Sequence, residues 1–251
     1  MTSSDAVDTA EVSYPSGQSV VPARLYRHGA AEGAGIVVCA GRLRDIDGLD
    51  FLCRALAEAG YVVLAIRYRG MDFDTDDADA LAGLDYLQSL HGITTTRPLG
   101  VAGHSRGGMT ALRVAAQDNR VRSVVALAPP TDMVRYIHAM ELLSPARYSA
   151  LASTMGTPEE RPDLYRQLSA LSYADAIRVP VLLVCGTQDL HAPLDHSQWM
   201  KDALTACGNE SVRLEVLDGV GHFFERMYFG YEFDRVSRLT VDWFASTLAS
   251  G

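Results

Sequence analysis

The 251-residue sequence lacks the features of membrane and nucleic-acid-binding proteins. Its longest apolar runs, such as residues 61–66, are far shorter than the roughly 20 residues that cross a bilayer. Lys and Arg number 22 against 31 Asp and Glu, and the formal net charge is -9. Such an acidic surface has no general attraction for phosphate backbones or anionic lipids. We therefore expect neither a nucleic acid nor a membrane as a partner.

Cysteine is scarce as well. The four cysteines, Cys39, Cys53, Cys185 and Cys207, form no CxxC pair, so their spacing predicts neither a zinc site nor a redox centre. No other motif indicates a metal or a cofactor. Residues 1–10 are polar and acidic, without the basic start and apolar core of a signal peptide. A cytoplasmic location is the resulting expectation.

Apolar runs alternate with amphipathic segments along most of the chain. Short runs rich in β-branched residues predict buried strands, and apolar residues at helical spacing predict the helices between them. The predicted strands are residues 36–40, 61–66, 99–102, 121–128, 179–185 and 212–217, and the predicted helices include 46–59, 107–117, 194–206 and 233–248. The acidic stretch 72–79 is predicted as a loop that leads into another helix.

This alternation predicts an α/β fold with a mainly parallel sheet and helices on both faces. A hairpin around residues 12–14 and 20–26 predicts an antiparallel edge at the N-terminal side. The length is typical of one large domain, so we expect a single domain over residues 1–251.

One segment interrupts the alternation. After Pro130, about fifty residues have helical character and contain no predicted strand, which is long for a single connection. Pro145, Pro158 and Pro162 divide it into short helices. We predict that residues 131–172 form a helical lid, with two ordinary packing helices as the alternative.

Residues 103–107 have the sequence GHSRG, which satisfies the pattern G-x-S-x-G. A predicted strand precedes the motif and a predicted helix follows it. In this setting a sharp turn holds the serine in a strained backbone conformation that lifts its hydroxyl clear of the sheet. Glycine is needed on both sides because side chains there would collide. The motif predicts the α/β-hydrolase fold with Ser105 as nucleophile.

A serine nucleophile needs a base, which in this fold is a histidine that follows both the nucleophile and the acid in sequence. Four histidines follow the motif: His138, His191, His196 and His222. His138 lies in the predicted insertion, and His191 and His196 flank the loop after strand 179–185. His222 lies just past the last predicted strand, where a loop can bring the imidazole over the sheet edge. We predict His222 as the base.

The base in turn needs an acid that orients it. Asp189 follows strand 179–185 at the carboxyl edge of the sheet, where open α/β sheets bind their ligands. Asp195 is the alternative, although it is predicted to open the next helix. Asp218 is closer to His222 in sequence but is predicted to end a strand. We predict Asp189 as the acid.

Acyl transfer also requires donors for the developing oxyanion. The backbone N–H of Arg106, directly after the serine, is predicted to be one donor. The second is predicted to come from the loop after strand 36–40, either from Arg42 or from Gly41.

Five arginines lie at or just after predicted strand ends: Arg42, Arg44, Arg67, Arg69 and Arg106. One hypothesis is that some of them, Arg42 and Arg44 especially, bind a carboxylate or phosphate of the substrate. The alternative is that Arg69 and Arg106 hold loops in place through salt bridges.

The chain resembles single-domain α/β hydrolases of the prolyl-oligopeptidase and dienelactone-hydrolase type. The resemblance is densest from about Gly100 to the C-terminus. It rests on Tyr68-Arg69-Gly70, Gly103-His104-Ser105-Arg106-Gly107-Gly108, Ser172-Tyr173-Ala174-Asp175, Val179-Pro180-Val181, Gly186-Thr187-Gln188-Asp189, Ala192-Pro193 and Gly221-His222-Phe223-Phe224. It implies the triad Ser105, Asp189 and His222. The sequence departs from the family where the usual His-Gly is replaced by Ala40-Gly41-Arg42.

The leading expectation is a serine hydrolase that cleaves an ester, thioester or amide of a small acyl substrate through an acyl-enzyme. Esters are favoured over peptides because the sequence contains no recognisable propeller or peptide-terminus pocket. Two alternatives stay open: an acyltransferase or cyclase on the same fold, and a binding protein that has lost the activity. The intact Ser–Asp–His set argues against the second. The oligomeric state is left open, with a homodimer as one option.

Overall fold

The computed structural model describes residues 6–29, 33–41, 45–70, 73–90, 97–227 and 229–248. Eight strands form one sheet in the order β1-β2-β4-β3-β5-β6-β7-β8. The strands are Val7–Ser16 (β1), Ser19–His28 (β2), Gly35–Cys39 (β3), Val62–Ile66 (β4), Leu99–His104 (β5), Val121–Leu127 (β6), Val181–Gly186 (β7) and Val212–Leu217 (β8). β1 pairs antiparallel with β2 and β2 antiparallel with β4, whereas the pairs from β4 to β8 are parallel. The structure confirms a mainly parallel sheet with an antiparallel N-terminal edge.

Helices cover both faces of the sheet. They are Asp50–Glu58 (α1), Asp76–Ser89 (α2), Arg106–Gln117 (α3), Met133–Leu143 (α4), Pro145–Met155 (α5), Pro162–Leu168 (α6), Leu194–Ala206 (α7) and Phe233–Thr247 (α8). One core lies under α2, α3, α4 and α7, and a second core under α1 and α8. Neighbouring residues of β3 divide between them, with Val37 in the first core and Val38 in the second. Within the described ranges, no helix has the length and apolar character needed to cross a bilayer.

The acidic stretch 72–79 differs from the prediction, because its second half is helical. Asp76 begins α2, and both Asp76 and Asp79 are completely buried. Each carboxylate accepts paired hydrogen bonds from an arginine, Asp76 from Arg106 and Asp79 from Arg69. Acidic side chains in the first turn also interact favourably with the helix dipole. Asp76 and Asp79 therefore join α2 to neighbouring elements.

The segment between β6 and β7 is helical, as predicted. It contains α4, α5 and α6, and a short 3-10 helix, Ala170–Tyr173, leads to the next strand. Pro145 and Pro162 are the first residues of α5 and α6, a position that suits proline because its missing N–H has no partner within the helix. The prolines thus divide the segment by starting new helices.

His196 of α7 holds the beginning of this segment. Its Nδ1 accepts hydrogen bonds from the backbone N–H groups of Thr131, at 3.2 Å, and Asp132, at 3.4 Å. The hydroxyl of Thr131 donates to the carbonyl oxygen of His196 at 2.7 Å. Because Nδ1 is an acceptor here, the fold requires the neutral imidazole. Burial lowers the pKa of His196 from its usual 6.5 to about 4.

We expect His196 to make unfolding sensitive to mild acid. A depressed histidine pKa contributes stability that is complete above pH 6.5 and is lost as the pH falls toward 4, by about 3 kcal/mol in total. Urea denaturation between pH 7 and 4 measures this loss. His196→Asn should flatten the curve, since the asparagine oxygen can take the place of Nδ1 as acceptor. The matched control, His138→Asn, changes an exposed histidine of α4; if both variants have equal pH dependence, this account of His196 is wrong.

Candidate active site

Ser105 lies in a sharp turn between β5 and α3. Its φ is +56° and its ψ is -117°, a strained conformation for a non-glycine residue. The backbone N–H of Ser105 donates to the carbonyl oxygen of Leu127 in β6 at 2.7 Å, which secures the turn to the sheet. A Cβ on Gly103 would overlap the backbone of Gly107, and one on Gly107 would overlap the carbonyl group of Cys39. Both flanking glycines are therefore required by close backbone packing, as the motif predicted.

A chain of hydrogen bonds joins the three predicted triad residues. His222 Nε2 lies 2.9 Å from Ser105 Oγ, and His222 Nδ1 lies 2.7 Å from Asp189 Oδ2. Asp189 Oδ1 accepts two further bonds at 2.8 Å, from the backbone N–H groups of His191 and Ala192. A carboxylate facing Nδ1 favours the proton on that nitrogen and leaves Nε2 to accept the serine proton. This geometry allows the imidazole to deprotonate an alcohol.

Several bonds fix the loop that carries His222. The carbonyl oxygen of His222 accepts a hydrogen bond from His104 Nε2 at 2.7 Å. The backbone N–H of Phe223 donates to Glu225 Oε2 at 2.7 Å. Gln188 N–H donates to the carbonyl oxygen of Val220 at 2.9 Å, which joins the loop after β8 to the loop of Asp189. The base is thereby anchored to both β5 and β7. His104 occupies the first unspecified position of the G-x-S-x-G motif, and the sequence predicted no role for it.

The alternative bases and acids lie elsewhere. His138 lies on α4 within 3.3 Å of Glu159, and His196 is engaged with the start of the helical segment. Asp195 is exposed in the first turn of α7. Asp218 is exposed and accepts a hydrogen bond from the hydroxyl of Thr187.

The structure places two of the predicted oxyanion donors beside Ser105. Arg106 is the first residue of α3, where backbone N–H groups lie outside the intrahelical hydrogen-bond ladder and the helix dipole favours negative charge. A Cβ on Gly41 would lie 3.6 Å from Ser105 Cβ, so the backbone of Gly41 runs next to the nucleophile. Arg42 and Arg44 lie outside the described residues.

The other arginines at the strand ends form salt bridges, as the alternative hypothesis held. The Arg69 guanidinium binds Asp79 at 2.5 Å, and that of Arg106 binds Asp76 at 2.5 Å. Arg106 also stacks on the ring of Tyr68, with its guanidinium carbon 4.3 Å from the ring centre. Arg67 pairs with Asp45. These guanidinium groups thus already have carboxylate partners.

A small cavity borders Ser105. Most of its wall is apolar or aromatic, and its lining residues are Gly41, Phe73, His104, Ser105, Arg106, Pro130, Met133, Tyr136, Arg147, His222 and Phe223. Met133 and Tyr136 come from α4, and Arg147 comes from α5. The helical segment therefore forms one wall of the cavity. No local motif marks these three residues, so sequence reasoning did not find them.

His191 is a further residue of the site that sequence reasoning considered only as a base. Its ring centre lies 4.9 Å from that of His222. Its Nδ1 lies 2.8 Å from an Nη1 of Arg147. Burial lowers the pKa of His191, and the nearby His222 and Arg147 lower it further. A neutral His191 can accept a hydrogen bond from the Arg147 guanidinium at Nδ1.

In the described part of the chain, no group of three or more His, Cys, Asp or Glu side chains could hold a metal ion. Cys39, Cys53 and Cys185 are buried, and Cys207 is partly exposed. Burial raises the pKa of the Cys185 thiol to about 11, so this thiol stays protonated at neutral pH.

Comparisons with known proteins place the chain in a family. Residues 49–251 match the prolyl oligopeptidase family. The chain is 27% identical over 157 residues to an uncharacterized peptidase of Bacillus subtilis, a match that covers 59% of this chain and 60% of the relative. The acylaminoacyl peptidase of Pyrococcus horikoshii has a similar fold, with a TM-score of 0.81 at 17% identity over 97% of this chain and 42% of that one. An esterase of Pyrococcus furiosus gives a TM-score of 0.74 at 18% identity over 96% and 92% of the two chains.

At these low identities the solved structures establish the fold alone, and both are consistent with the architecture described above. The chain spans less than two thirds of the curated relative and less than half of the acylaminoacyl peptidase. The family match itself covers most of the chain, including all three residues of the hydrogen-bonded chain. The protein belongs to the prolyl oligopeptidase family and has the α/β-hydrolase fold.

Proposed function

We propose that this chain is a serine esterase in which Ser105, His222 and Asp189 form the catalytic triad. The observation that carries the proposal is the continuous hydrogen-bond chain from the serine hydroxyl to the buried carboxylate, with distances of 2.9 and 2.7 Å. His222 and Asp189 are 4% and 3% exposed, so their interaction is shielded from water.

The proposed reaction has two halves. Ser105 Oγ attacks the carbonyl carbon of the ester while His222 Nε2 takes its proton, and Asp189 stabilises the resulting imidazolium. The developing oxyanion accepts hydrogen bonds from the backbone N–H groups of Arg106 and Gly41. The imidazolium then protonates the leaving alcohol, which departs and leaves an acyl-enzyme. Water, deprotonated by His222, attacks the acyl carbon and releases the acid with the free serine.

The cavity around Ser105 favours esters over peptides. It is small and mainly apolar, which suits a compact hydrophobic acyl group. An esterase of Pyrococcus furiosus is among the proteins with a similar fold.

In this proposal the chain acts as one domain and residues 131–172 serve as its lid. The segment supplies Met133, Tyr136 and Arg147 to the cavity wall. Its helices α5 and α6 are partly exposed on their outer side, which fits a cover over the site better than a central packing element. Such a lid would select acyl groups by shape and limit the entry of water.

The substrate preference can be measured with a panel of acyl compounds. We expect kcat/KM to be higher for p-nitrophenyl butyrate than for the corresponding thioester or for aminoacyl p-nitroanilides. Product analysis should show free acid, with and without an added alcohol as competing nucleophile. Turnover of the anilides alone would contradict the ester assignment, and exclusive transfer to the added alcohol would favour the acyltransferase alternative.

A further inference from the structure

Arg147 differs from the other described arginine of the catalytic cavity. Arg106 lines the same cavity, but its guanidinium is neutralised by the buried Asp76. Among the described residues, no carboxylate lies within 4.0 Å of the Arg147 guanidinium, whose hydrogen-bond partner is the neutral imidazole of His191. The cavity of an acidic protein therefore contains a cation without an anionic partner in the described chain.

The position of Arg147 in its helix also argues against a purely structural role. Arg147 is the third residue of α5, which begins at Pro145. A positive charge in the first turn of a helix opposes the helix dipole and is mildly unfavourable for helix stability. The charge of Arg147 therefore slightly destabilises α5, and no ion pair within the described residues offsets this effect.

The surroundings of Arg147 extend beyond the catalytic cavity. Arg147 also borders an outer groove, which is lined by Ala139, Met140, Leu143, Ser144, Leu190 and His191. Leu143 and Leu190 of this groove are 61% and 72% exposed. Arg147 therefore lies where the catalytic cavity meets an apolar surface that a longer substrate could cover.

We propose that Arg147 is a substrate-binding residue that recognises a carboxylate on the ester substrate, away from the scissile bond. This inference rests on the proposed esterase function. In the free enzyme the guanidinium donates to His191 Nδ1. When substrate binds, its carboxylate takes the guanidinium's hydrogen bonds, because a charge-assisted bond to an anion is stronger than one to a neutral ring. The carboxylate can belong to the acyl group or to the leaving alcohol.

Two pairs of esters distinguish these sources. For the acyl side, the p-nitrophenyl half-ester of glutaric acid is compared with p-nitrophenyl butyrate. For the leaving-group side, 4-butyryloxybenzoate is compared with phenyl butyrate. We expect the wild type to prefer the anionic member of one pair. Arg147→Met should lower that preference about 10- to 100-fold, mainly by raising KM for the anionic member.

Two further variants make the test specific. Arg147→Lys should keep part of the preference, because the positive charge remains while the planar pair of donors is lost. Arg166→Met removes a charge from exposed α6 in the same segment and should leave the preference unchanged. Equal loss for both members of each pair in Arg147→Met, or a wild type that prefers neither anionic ester, would overturn the proposal.

A failure of the esterase assignment would be visible separately. If the wild type hydrolyses none of the four esters, calorimetry with 4-phenylbutyrate tests the carboxylate site without turnover. Binding to the wild type that is lost in Arg147→Met supports the site. Absence of binding, or equal binding to both proteins, contradicts it.

Discussion

Replacing Ser105 by alanine is expected to lower kcat for ester hydrolysis by about 10⁴- to 10⁶-fold. The substitution removes the atom that forms the acyl-enzyme but leaves the cavity and the backbone N–H groups of Arg106 and Gly41. Residual activity would come from binding and oxyanion stabilisation alone. The free energy of unfolding should change little, because a backbone hydrogen bond holds the turn at residue 105. The hydroxyl that is removed bonds to His222 and takes no part in holding the turn. Initial rates with p-nitrophenyl butyrate and covalent labelling by a fluorophosphonate probe measure the effect.

The matched control is Ser246→Ala, which changes an exposed serine near the end of α8. It should keep wild-type activity and labelling, and both variants should unfold at nearly the wild-type temperature. If Ser105→Ala keeps most of the activity, or if the probe still labels it, then Ser105 is not the nucleophile.

Asp189→Asn is expected to lower kcat by about 10⁴-fold. The reason is that the surrounding hydrogen bonds fix how the asparagine amide is oriented. The backbone N–H groups of His191 and Ala192 point at Oδ1, so the amide oxygen of asparagine would take that side. Its NH₂ group would then face His222 Nδ1 and require that nitrogen to accept. The proton of the imidazole would move to Nε2, which could no longer accept the proton of Ser105.

Measurement of kcat from pH 5 to 10 tests this tautomer argument, because raising the pH does not correct a wrong tautomer and the loss should therefore persist. Asp218→Asn, at an exposed aspartate that sequence reasoning also considered, should change kcat only slightly. Equal effects of the two substitutions would remove Asp189 from the proposed triad.

Local patterns predicted most of the secondary structure. The buried runs became β3 to β7 within one or two residues at most ends, since strands buried on both faces need continuous apolar sequence. The run predicted at 212–217 is β8, a partly exposed strand at the edge of the sheet. The segment after Pro130 is helical and broken at its prolines, as expected. The acidic stretch 72–79 was the exception. The sequence indicated a loop, and only the folded chain shows that Asp76 and Asp79 are buried against arginines.

Some residues of the candidate site could likewise be predicted from local sequence patterns, and others could not. The glycines around Ser105 predicted the sharp turn because close backbone packing excludes side chains there. His222 and Asp189 were predicted from their places after strands, and the structure brings both to Ser105. Arg147 was not found, because it lies on a helix without a motif, and its contact with His191 joins residues 44 positions apart.

Sequence by itself therefore determined the class of fold, the turn that presents Ser105, and the loops able to deliver an acid and a base. These features depend on burial and backbone conformation over a few neighbouring residues. Only the tertiary structure decided which side chains meet. The order of the strands brings Ser105 Oγ within 2.9 Å of His222 Nε2, although the two residues are 117 positions apart in the sequence. It also placed the helical segment so that Arg147 lines the cavity. No local sequence pattern predicts how α4 and α5 pack over the sheet edge.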